Sequence, residues 1–80
     1  MTLPSPDLSL DCRDMLCPMP VIELARHLGD VEVGQVIGVS TRDVAARTDV
    51  PAWCRMRNQE YVGEDLDDHD VPRHLVRRLS

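Results

Sequence analysis

The chain has 80 residues, 42% of them apolar, and a net charge of −5 at neutral pH. That describes one small domain, near the lower limit for folding without staples, whose acidity argues against direct contact with nucleic acid. No stretch reaches the length of a membrane span, the start lacks a basic segment followed by an apolar one, and three cysteines are an odd count. The expectation is therefore a cytoplasmic protein with reduced thiols rather than a secreted disulfide framework.

Residues 1–7, MTLPSPD, form a Pro- and Ser-rich lead expected to be flexible, and residues 8–80 a single domain. Leu8, Leu10 and Cys12 alternate with Ser9 and Asp11, which predicts a short strand. From Pro18 the period changes. Val21, Leu24, Ala25 and Leu28 recur at helical spacing, Ile22 widens the apolar stripe, and Glu23, Arg26 and His27 fall opposite. Gly29 is a natural stop. Gly34-Gln35 reads as a turn and residues 36–41 as a mostly buried strand. Asp43 is placed to cap a second helical stretch from Val44 to about Asn58, which Pro51 should kink or split. Val50, Trp53, Cys54 and the stem of Arg57 should face inward. Tyr61 to Glu64 begins a third strand, Asp67-Asp68-His69-Asp70 is a polar turn, and His74 to Leu79 reads as a fourth strand. The order is βαβαββ. It predicts an α+β two-layer sandwich, with two helices on one face of a four-stranded mixed sheet.

The chemistry concentrates at Cys17-Pro18-Met19-Pro20. Proline is favoured at the first position of a helix, where its missing N–H is not needed. That reading makes Pro18 the first helical residue, Cys17 the N-cap and Met19 the source of the surviving capping amide. A thiol there sits at the positive end of the helix, where cysteine pKa falls and nucleophilicity rises. The bland alternative is a small apolar cap, but Ser, Thr, Asp or Asn would serve better.

Other candidates are weaker. Cys12 could resolve an adduct on Cys17 or share a metal with it, but its strand face points to a core thiol, and Cys54 beside Trp53 is core as well. A zinc site needs four ligands, and His27, His69 and His74 read as scattered surface residues, so no metal and no cofactor is expected. Arg73, Arg77 and Arg78 read as a solvated strand face or, more sharply, as a docking patch for an acidic partner protein or for tRNA.

The run L-D-x-x-x-x-x-C-P-x-P before an amphipathic helix resembles the TusA-like family of small sulfur carriers and sulfurtransferases. So do Asp43, the segment Asp49-Val50-Pro51-Ala52-Trp53-Cys54, and the basic last strand. The likeness covers nearly all of residues 8–79. It implies the same βαβαββ sandwich and a Cys17 that receives sulfane sulfur as a persulfide. The partners it implies are a donor protein (a cysteine desulfurase or rhodanese-like) and an acceptor protein, in tRNA thiolation, cofactor sulfur supply or sulfur oxidation. Asp14 stands where the family usually has Gly, which requires a turn that Asp tolerates and places a carboxylate near the sulfur. A binding module of the same fold, contacting RNA or protein with Cys17 incidental, is the other class of function.

Overall fold

The computed structural model describes residues 3–16 and 18–80. Strand β1 spans Leu8–Asp11, helix α1 Met19–His27, strand β2 Val36–Ser40, helix α2 Ala46–Arg57, strand β3 Glu60–Leu66 and strand β4 Pro72–Arg77. A single 3-10 turn, Leu28–Asp30, closes α1. The sheet order is β1-β2-β4-β3, with β1 parallel to β2 and the other pairs antiparallel. The expected mixed four-stranded sheet with two helices is what the chain forms.

Alternation along the strands divides the sheet cleanly. Ile37, Val39 and Val76 face the helices and join Leu24, Val31, Ala46, Val50, Trp53 and Cys54 in the main core. Leu8, Leu10 and Tyr61 pack at its margin. The other face carries the row Ser9, Gly38, Leu75 and Gly63, matched in register across all four strands. Leu75 is 0% exposed although both helices lie on the opposite side of the sheet. A bulge between Tyr61 and Gly63 shifts β3 by one residue, which keeps Tyr61 on the helix side and turns Gly63 to the other.

Four sequence expectations are corrected. The last strand starts at Pro72 and ends at Arg77 rather than running from His74 to Leu79, and beyond it the Arg78 backbone pairs with the Gly34-Gln35 turn, its N–H donating to the Gln35 carbonyl at 2.9 Å. The Arg78 guanidinium donates to the Val31 carbonyl at 2.6 Å, and the Leu79 N–H donates to Gln59 Oε1 at 2.7 Å. His74 is 1% exposed, not a surface residue. Ile22 turns outward instead of widening the buried stripe. Arg57 is exposed and its guanidinium stands 5.9 Å from the centroid of the Trp53 ring, a cation–π contact rather than a buried stem.

Helix α2 accommodates Pro51 without splitting. Its approach is prepared by Asp43: the Ala45 N–H donates to Asp43 Oδ1 at 3.0 Å, and the Asp43 N–H donates to Thr41 Oγ1 at 3.1 Å. The helix proper begins two residues later than Val44, and Asn58 ends it in a left-handed conformation.

Candidate functional site

Because β1 and β2 are parallel and each is followed by a helix that runs back, α1 and α2 both start at the same end of the molecule. The positive ends of two helix dipoles are thus side by side. The β3–β4 turn, residues 67–71, lies at that end too, since Ser40 at the end of β2 pairs with Arg73 at the start of β4.

Cys17 itself lies outside the described residues; its flanks define the setting. The Met15 N–H donates to the Cys12 carbonyl at 3.0 Å and the Met19 N–H to the Leu16 carbonyl at 2.9 Å, two successive turns that lead from β1 into α1. Pro18 is the N-cap, and its carbonyl accepts the first helical bond from the Ile22 N–H at 3.1 Å. The helix therefore starts one residue later than expected. Met19 is its first residue and Pro20 its second, and the Met19 amide is held by Leu16 instead of remaining for a cap. Of the N–H groups of the first turn, two are removed by proline and that of Met19 is bonded to Leu16.

The side chains here are apolar and outward. Leu16 is 76% exposed, Met19 41% and Ile22 42%. Pro20 is buried, and Met15 packs against the core. Leu16 was not singled out in the sequence and Ile22 was read only as part of the buried stripe; the spacing of Leu16, Met19 and Ile22 at every third residue was the available signal. Asp14 is exposed, and the positive-φ residues other than glycine are Asn58 and Asp70 among those described, so Asp14 needs no left-handed backbone.

The other two cysteines are placed very differently. Cys12 is 2% exposed and Cys54 1%, and burial pushes each thiol up to about 11. Glu23 and Asp11 add to the effect at Cys12. Both are protonated at neutral pH and shielded from reagents.

The three C-terminal arginines are engaged within the chain. Arg73 makes a forked pair with Asp65 at 2.9 and 2.7 Å, and Arg77 meets Glu60 at 2.8 Å. Arg78 ties the chain end to Val31, as above. Asp67 folds its own turn, accepting from the His69 and Val71 N–H groups at 2.8 and 3.0 Å. Those bonds, led by Val71, pull its carboxyl down to about 2. His27 sits between Asp30, at 2.7 Å, and Glu23, at 3.4 Å. A polar network not foreseen from sequence joins Tyr61, whose hydroxyl is 3.0 Å from His74 Nδ1, to Glu64 and Arg47. Among the described residues no cluster of His, Cys, Asp and Glu has the makings of a metal site, and no helix is long and apolar enough to cross a membrane.

A small mixed α+β sandwich with a proline-braced helix start and an apolar rim defines the class. The family model described as Sulfurtransferase TusA matches residues 8–78, and the chain belongs to that family. It is 34% identical over 71 residues to an Archaeoglobus fulgidus protein, covering 89% of this chain and 96% of that one. It is 28% identical to YrkF and 26% identical to YrkI of Bacillus subtilis, across 86% and 90% of this chain. All three are named as candidate sulfur carriers. The match spans 37% of YrkF and 95% of YrkI. The crystal structure of a SirA-like protein from Desulfitobacterium hafniense superposes with a TM-score of 0.75 at 19% identity, covering 91% of this chain and 99% of that one, and shares the fold.

Proposed function

We propose that the protein is a sulfur carrier that holds sulfane sulfur on Cys17 as a persulfide. The observation that carries the reading is the family match running through the Cys-Pro-x-Pro segment at the start of α1. It is supported by elimination, since Cys12 and Cys54 are buried thiols with raised pKa. In the first step the Cys17 thiolate attacks the terminal sulfur of a donor persulfide. A new S–S bond forms on Cys17 as the donor's own S–S bond breaks, and the donor cysteine leaves as a thiolate. In the second step an acceptor thiolate attacks that terminal sulfur and Cys17 thiolate leaves. Each step moves one sulfur and is redox-neutral overall.

Exchange of this kind needs an accessible low-pKa thiol and a partner that can approach it. Leu16, Met19 and Ile22 offer that partner an apolar rim. Docking through Arg73, Arg77 and Arg78 would require these side chains to trade internal partners for external ones, which weakens both that surface and the RNA-binding alternative. The relay served, whether tRNA thiolation, cofactor supply or sulfur oxidation, follows from the donor and acceptor proteins in a cytoplasmic setting. Incubation with a persulfide donor followed by intact mass measurement tests the reading. A gain of one sulfur atom is expected on the unaltered chain and on Cys12→Ser and Cys54→Ser, and none on Cys17→Ser. Loading of Cys17→Ser would overturn it.

A further inference from the structure

The face of the sheet away from the helices holds a transverse trough. Its floor is the in-register row Ser9, Gly38, Leu75 and Gly63, in which a fully buried leucine is flanked on both sides by glycine. Its walls are polar: Asp65 with Arg73 on one side, Glu60 with Arg77 on the other. The chain's own lead lies in it. A Cβ on Gly38 would come within 2.9 Å of the Arg73 stem and 3.1 Å of Pro6, and one on Gly63 within 3.3 Å of Leu3. The space over Gly63 is thus filled by the lead alone, and that over Gly38 is shared by Pro6 and the Arg73 stem, which reaches in from the wall.

The spacing is the informative part. Gly38 and Gly63 are two strands apart, and two strand spacings are ~9.6 Å. Leu3 and Pro6 are three residues apart, and an extended proline-type helix advances ~9.3 Å in three residues, returning to the same side each turn. The two periods coincide, so the trough accepts side chains at positions i and i+3 of such a segment. We infer that this row is a docking groove for an extended partner segment of pattern aliphatic-x-x-Pro, and that Leu3–Pro6 occupies it in cis as a built-in competitor. The partner is a protein carrying that pattern in an exposed stretch. A second copy stacking its own bare sheet face here fits less well. Four strands at ~4.8 Å spacing and five or six residues at ~3.3 Å present a face of only ~350 Å², well under the ~800 Å² per partner of a stable interface.

The test uses the full chain with Leu3→Ser and Pro6→Ser, which empties the groove, and a labelled peptide Thr-Leu-Pro-Ser-Pro-Asp. Saturable binding is expected. The unaltered chain should bind about tenfold more weakly or worse, because its tethered segment competes at an effective concentration in the millimolar range. A peptide with one extra Ser between the aliphatic residue and the second Pro should lose binding to the same degree. Equal binding of the two peptides, no saturation on a folded variant, or self-association of the variant without peptide binding would each overturn the proposal. If the double variant does not fold, the Leu75 methyl resonances of the unaltered chain give the answer. They should move with excess native-spacing peptide and stay still with the lengthened one; no movement with either overturns the proposal.

Discussion

His74 shows how much of this molecule is set by single side chains with distant partners. It is buried against Tyr61, with Glu64 and Arg47 the charged groups nearest the pair. Burial lowers its pKa below 6.5, Glu64 pulling the other way and Arg47 reinforcing the shift. The unfolded chain therefore binds a proton that the folded chain resists. Stability on this account is full above about pH 6.5, falls as the pH drops toward the folded pKa, and levels off below it. Urea unfolding at pH 7.5 and 5.5 should show the loss, and His74→Gln should flatten it; an equal slope in the variant would assign the effect elsewhere. The thiols give a second residue-level outcome. Iodoacetamide at neutral pH should modify no more than one cysteine in the folded protein and all three in denaturant, read by intact mass, because Cys12 and Cys54 are buried and protonated. Asp14→Gly should speed alkylation of Cys17. The gain is bounded at about fivefold, the size of a ~1 kcal/mol interaction between charges across water; slower alkylation would show that the carboxylate helps the thiolate.

At the scale of elements, α2 carries an evident internal cost. Pro51 falls inside Ala46–Arg57, where it cannot donate to the Arg47 carbonyl and its ring crowds the preceding turn. Replacing it with Ala should stabilise the fold by roughly 1–2 kcal/mol, the helix-interior cost of proline less the freedom returned to the unfolded chain. A denaturant midpoint that does not rise would mean that α2 accommodates the Pro51 ring without strain. Much of this level was legible in the sequence. The alternation of Leu8, Leu10 and Cys12 and the stripe of Val21, Leu24, Ala25 and Leu28 are local periodicities, and they mark β1 and α1 correctly. What was not legible depended on strand order. The burial of His74 requires Tyr61, thirteen residues earlier, to be brought alongside it by the β3–β4 hairpin. The glycine row exists only once β4 is inserted between β2 and β3. Likewise the start of α1 slipped by one residue because Leu16, not a side-chain cap, takes the Met19 amide. Of the candidate site, the Cys-Pro-x-Pro segment stood out in the residues alone, whereas the internal pairing of Arg73 and Arg77 depended on which carboxylates the hairpin sets opposite them.

For the whole molecule, the two glycines flanking Leu75 link the lead to the sheet. Gly63 has φ +154°, a backbone setting that L-residues rarely take, and an added Cβ would meet Leu3. Gly63→Ala should therefore cost about 1 kcal/mol from the backbone alone, and should also raise proteolytic cutting within residues 1–7. Unchanged cutting would show that Leu3 does not depend on that space.

Strand β1 has a further consequence, in the time domain. It is four residues long, lies at the sheet edge and is held by one ladder only, to β2, while β2 and β4 are each flanked on both sides. Local opening free energies follow such differences, and the least tethered strand opens most often. Amide hydrogens of Ser9 to Asp11 should exchange with solvent well before those of Ile37 to Val39 or Leu75 to Val76. The connection to α1 is attached directly to that strand. A partner meeting the helix start would thus meet a segment whose anchor is momentarily loose far more often than the molecule as a whole unfolds.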